Sequence, residues 1–161
     1  MATMTVWKFP TPNGAEAAEN TLLDLQKQEL ITIHDAAIVS FPEGAKKPKT
    51  KQLHSLAGVG ALGGAFWGML FGLIFFIPLL GLAIGAGLGA LMAGMSDVGI
   101  DDDFIKRARD EIKPGTSALF LLSSDAVVDK VREHFAETPM TLVETNLSNE
   151  QEQKLHEVFA A

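Results

Sequence analysis

The sequence contains no cysteine, which excludes a disulfide framework, a thiolate nucleophile, an iron–sulfur cluster and a cysteine zinc site together. Positive charge is scarce as well: 13 Lys and Arg stand against 20 Asp and Glu, leaving a formal charge of −7 and a pI near 5.0. That balance offers a phosphate backbone no general attraction, so nucleic acid is not an expected partner. With 161 residues the chain is one domain's worth of protein, without room for a two-domain enzyme around a cleft. Catalytic signatures are missing too. No G-x-S-x-G, P-loop or G-x-G-x-x-G stands in a strand-to-helix setting, and Gly-rich matches fall inside an apolar run that a nucleotide cannot enter. His34, His54, His134 and His156 are scattered without metal-ligand spacing. The expectation is a non-enzymatic protein with no catalytic residues, no metal and no cofactor. A signal peptide is not expected either, since Met1 to Phe9 lacks a long apolar stretch.

The most extended absence is of charge. From Ser55 to Ser96 there is no Asp, Glu, Lys, Arg or His, a run of 42 positions counted inclusively. A single helix of that length would reach about 63 Å, roughly twice the hydrocarbon core of a bilayer, so the run should be broken. Pro78 supplies the break by removing a backbone donor. Two membrane helices are expected, roughly 55–76 and 79–96, joined at a tip around Pro78 that carries no charge. Lys46, Lys47, Lys49 and Lys51 lead into the first helix, and Lys106, Arg107 and Arg109 follow the second. The positive-inside rule then places both flanks in the cytoplasm, with the four lysines at the membrane surface.

Glycine spacing is the most specific pattern in the chain. Gly60, Gly64, Gly68 and Gly72 recur at every fourth position of the first expected helix, and Gly81, Gly85 and Gly89 do so in the second. Residues four apart share a helix face, so each helix carries a groove free of side chains where another backbone can approach. That groove suits packing within the hairpin and packing between subunits. A second row, Gly63, Trp67, Phe71 and Phe75, is bulky at its last three positions. Trp67 would lie away from the interfacial belt, so it should pack on protein instead of headgroups.

The flanks read as a folded domain. Thr5 to Phe9 alternates as a strand, Ala15 to Glu29 repeats Ala18, Leu22 and Leu25 at helical spacing after an Asn13 cap, and Ala36 to Val39 is a buried strand. After the hairpin, Asp101-Asp102-Asp103 opens a short helix, and capping suits the triplet better than cation binding because adjacent carboxylates fan apart. Lys113-Pro114-Gly115-Thr116 has the order of a type II turn. Then the pattern repeats: strand Ser117–Leu122, helix Asp125–Phe135, strand Met140–Thr145, and a last helix from Ser148 with Gln151 as capping-box partner. The fold class expected is α+β, a split βαβ/βαβ sandwich similar to a ferredoxin-like fold. Its organisation would be 1–54 for the first half, 55–98 for the inserted glycine-zipper hairpin, transmembrane or re-entrant, and 99–161 for a linker helix, the second half and a C-terminal helix.

The stretch Gly64-Ala65-Phe66-Trp67-Gly68-Met69-Leu70-Phe71-Gly72, the tip Pro78-Leu79-Leu80-Gly81, and the segment from Asp97-Val98-Gly99-Ile100 through Lys113-Pro114-Gly115-Thr116 resemble a bacterial family of predicted membrane proteins. That family is known as domain of unknown function twelve-sixty-nine. The likeness runs from about Asp35 to Asn146 and implies a bacterial source and a membrane location. It implies no catalytic residues, because the family has no established activity. Together these readings lead to a self-assembling protein of the bacterial inner membrane, with the lipid bilayer and further copies of itself as partners. The alternative is an ion- or small-molecule-responsive regulator or channel component.

Overall fold

The computed structural model describes residues 2–53, 62–76, 94–135 and 140–159. Five strands form one antiparallel sheet: β1 (Ala2–Phe9), β2 (Ile33–Phe41), β3 (Lys49–Gln52), β4 (Thr116–Ser124) and β5 (Thr141–Asn146). Their spatial order is β3-β2-β4-β1-β5. Helix α1 (Gly14–Lys27) connects β1 to β2, and the helix Asp125–His134 connects β4 to β5. The two β-α-β halves therefore interleave, with one strand of each half at the centre, as a split βαβ arrangement requires. The chain is α+β, as its alternating patterns suggest.

Alternation along the central strands sends side chains into two cores. On one face Trp7, Phe9, Leu119 and Leu121 pack beneath α1 and the Asp125–His134 helix. On the other, Met4, Val6, Ala118, Phe120 and Leu122 meet the apolar segment itself. That segment is helical from Gly64 to Phe71 (α2) and continues as a π turn over Gly72–Phe76. Beside it lie α3 (Asp102–Glu111), through Phe104, Ile105 and Ala108, and the last helix (Asn149–Phe159), through Leu155. Numbering in chain order, Asp125–His134 is α4 and Asn149–Phe159 is α5.

The membrane helix expected over 55–76 is corrected here. Leu62 sits in a β-bridge and Gly63 is extended at φ −72° and ψ 163°, so the helix begins only at Gly64. Its described part, Gly64 to Phe76, measures about 20 Å. Among the described residues no helix is long and apolar enough to cross a membrane. Most of the second expected helix and the Pro78 tip lie outside the described residues. Its final turn, 94–97, is helical and closes on Gly99 at φ +94°, with Ile100 N–H donating to Met95 and Gly99 N–H to Ser96. Those paired bonds form a Schellman motif, and glycine fits its left-handed position.

Local signals fare unevenly. Asp101 caps α3 by accepting from Phe104 N–H at 2.9 Å, and Ser148 and Gln151 exchange the two bonds of a capping box at 2.9 and 3.1 Å. Asn13 precedes α1 but its side chain makes no cap bond. The first turn is satisfied from across the sheet, where Ser117 Oγ accepts from Ala15 N–H at 2.9 Å.

Candidate functional site

The apolar segment is fastened to the sheet by one buried carboxylate. Asp35 stands on β2 and is fully buried. Its orientation comes from a register shift: Ile33 pairs with Ser123 and Asp35 with Leu122, so two steps on β2 oppose one on β4. Without that bulge Asp35 would share the face of Ile33 and point toward α1. The extra residue, His34, turns it to the face of Ala37 and Val39, beneath α2.

There the carboxylate collects donors. Oδ2 accepts from the indole Nε1–H of Trp67 and from the backbone N–H of Leu62, both at 2.8 Å, and Oδ1 accepts from Ala36 N–H at 2.9 Å. Gln52 lies alongside, donating through Nε2 to Leu62 C=O at 2.9 Å and lying 3.3 and 3.4 Å from the two carboxylate oxygens. No salt bridge reaches Asp35 among the described residues. A buried charge is tolerated only where hydrogen bonds replace water, and convergent N–H groups do so here. The knot ties β2, β3 and the start of α2 at one point. A further strap runs from α5, whose Phe159 carbonyl accepts from Gly63 N–H at 2.6 Å.

Above the knot, the bulky row expected from the sequence lies on the sheet. Trp67 stacks on Phe71 at a centroid distance of 5.7 Å, Phe71 meets Phe75 at 6.2 Å, and both Trp67 and Phe71 touch Phe120 of β4 edge-on. Trp67 thus packs on protein. The glycine row takes the opposite side: Gly64 and Gly68 are exposed and Gly72 is half-buried, and no described atom comes within 4 Å of a Cβ built at any of the three. Gly60, Gly81, Gly85, Gly89 and Pro78 lie outside the described residues.

The lysine cluster is not one surface. Lys49 and Lys51 belong to β3, an edge strand. Lys51 pairs with Ile38, and both lysines line a cavity on the α1 face with Glu16 and Glu19. Lys46 instead lines a cavity on the α2 face, beside Arg109 and Lys113, while Lys47 is exposed. Asp35 as a buried acceptor and Arg109 as a donor to the Leu73 and Ile74 carbonyls are roles that the sequence pattern does not reveal. The only signal for Asp35 was an acid leading directly into an apolar strand.

Chemically, the knot positions and fastens; it presents no nucleophile beside a base. Among the described residues no group of three His, Asp or Glu is placed to hold a metal ion. Fold and site together define an α+β protein whose sheet is covered on one face by an apolar helix tied to a buried carboxylate. A family model described as "Protein of unknown function (DUF1269)" matches residues 61–160, and the chain belongs to that family. Comparison with curated proteins and with solved structures finds no match.

Proposed function

We propose that the chain is a non-enzymatic, membrane-associated protein that assembles with further copies of itself through the glycine face of α2. The observation that carries this reading is that α2 is apolar on every side. A helix of that kind needs cover all round. The sheet covers Trp67 and Phe71, whereas Gly64, Ala65 and Gly68 are exposed among the described residues. A face without side chains is what close backbone contact requires, especially in a lipid environment that supplies no hydrophobic drive between helices.

The bilayer enters the proposal through the part of the uncharged run that follows Phe76, up to Ala93. With α2 held on the sheet, we place that part in lipid, and its short length favours a re-entrant hairpin over a spanning one. Both termini then lie on the cytoplasmic side of a bacterial inner membrane.

The test combines alkaline-wash fractionation of cells with sizing in mild detergent, for the parent chain and for Gly64→Leu and Gly68→Leu. Leucine at either position meets no described atom within contact range of its Cβ, so Trp67 emission should stay unchanged. The parent should remain in the membrane fraction as a defined oligomer, and both variants should run smaller. A parent chain recovered as a soluble monomer refutes the reading. Variants of parental size refute its assembly surface.

A further inference from the structure

Where the π turn ends, a half-open cavity of about 300 Å³ lies between β2, α3 and the Lys113–Thr116 turn. Phe41, Phe75 and Ile112 give it an apolar floor, and Lys46, Arg109 and Lys113 bring three cations to its lining. Among the described residues no carboxylate lines it. The arginine is fixed in place: Nε donates to Ile74 C=O at 3.0 Å and Nη2 to Leu73 C=O at 2.7 Å. Its charge therefore sits on two carbonyls of the π turn. Lys46 and Lys113 are exposed and form no ion pair among the described residues. In a chain of net charge −7, a concentration of unmatched positive charge over an apolar floor is complementary to a molecule with an anionic head and an apolar tail.

We infer that this cavity seats the headgroup and upper acyl chain of an anionic phospholipid belonging to the bilayer. The inference rests on the membrane-associated reading above and adds which lipid is recognised and by which residues. A bilayer source fits because Ile74 and Phe75 line the cavity just before the chain passes into the remainder of its uncharged run. The cations thus stand beside Ile74 and Phe75, the part of the described segment that precedes the rest of that run in sequence. They come from two parts of the chain, Lys46 after β2 and Arg109 with Lys113 at the end of α3, so the fold brings them together.

The test is vesicle flotation of the full chain with phosphatidylcholine alone and with phosphatidylglycerol mixed in. Near an anionic surface each lysine is worth about fivefold in binding, so Lys46→Gln and Lys113→Gln should each remove about that factor, and the double variant about 25-fold. Lys51→Gln, on the opposite sheet face, should change binding less than about twofold. Binding to phosphatidylcholine alone should match the parent throughout, and far-UV circular dichroism should be unchanged. Equal losses at all three lysines would mean diffuse attraction and overturn the site, as would no loss at any. Saturable binding of monomeric laurate or inorganic phosphate, without preference for anionic vesicles, would assign the cavity to a free anion and also overturn it. Equal binding of the parent to both vesicles defeats this site while leaving membrane association standing. Binding to neither defeats both.

Discussion

Replacing Asp35 measures how firmly the apolar segment is held on the sheet. In Asp35→Ala the Trp67 indole N–H and the Leu62 amide, each 2.8 Å from Oδ2, lose their acceptor. A buried donor left unsatisfied costs about 1–3 kcal/mol, so the pair amounts to about 2–6 kcal/mol. Opposing this is the desolvation recovered when a carboxylate with no salt-bridge partner among the described residues leaves the interior, a term that reaches several kcal/mol for an unpaired ion. Asp35→Asn separates the two. With its amide oxygen at the Oδ2 position, asparagine keeps the bonds from Leu62 and Trp67 and turns its NH2 toward Ala36 N–H, forfeiting about 1–3 kcal/mol. The donors outweigh the desolvation if stability falls in the order Asp35, Asn, Ala. Urea unfolding in a Trp7→Phe background, where Trp67 is the sole indole, reads both stability and the site. The alanine variant should unfold at lower urea and show red-shifted Trp67 emission in native buffer. An alanine variant as stable as its parent would refute the reasoning, because burying the charge would then cost as much as its bonds return.

Two further substitutions probe the frame around the site. Ser117→Ala removes the acceptor for Ala15 N–H and the donor to the Thr11 carbonyl, and should lower stability by about 1–2 kcal/mol in denaturant unfolding, the range for losing a helix cap. Gly99→Ala places a Cβ 2.8 Å from Leu147 Cγ at a backbone with φ +94°, and should cost about 1–3 kcal/mol by the same measurement. Alanine there without loss would mean that the turn into α3 relaxes freely.

Much of the frame is legible in the sequence where the signal is local. The Ala18, Leu22 and Leu25 stripe, the Asp101 cap, the Ser148–Gln151 box and the Gly115 turn at φ +90° each depend on residues a few positions apart. The row Trp67, Phe71, Phe75 was legible as a packing face, but its destination was not. Hydropathy reports the drive out of water and is the same whether the refuge is lipid or a sheet. Other features are non-local. A single extra residue at His34 decides which face Asp35 takes, and alternation read along β2 alone does not reveal it. Lys49-Thr50-Lys51-Gln52 carries no apolar alternation, because an edge strand is guarded by charge instead of built from β-branched residues. The cap on α1 comes from a serine on β4, beyond the whole apolar run.

The strand order has a consequence for how the chain is made. β1 pairs only with β4 and β5 among the described strands, and β2 lies between β3 and β4, so the first half contains a single strand pair of its own. The surface that receives Trp67 and Phe71 includes Phe120 of β4, which begins about 40 residues after Phe76. At roughly 5–20 residues per second, a ribosome needs about 2–8 s to cover that distance. During this interval the most water-averse part of the polypeptide has been synthesised while the face that shelters it does not yet exist. The interleaved topology therefore builds a delay into biosynthesis, during which Trp67 and Phe71 await the central strand that covers them.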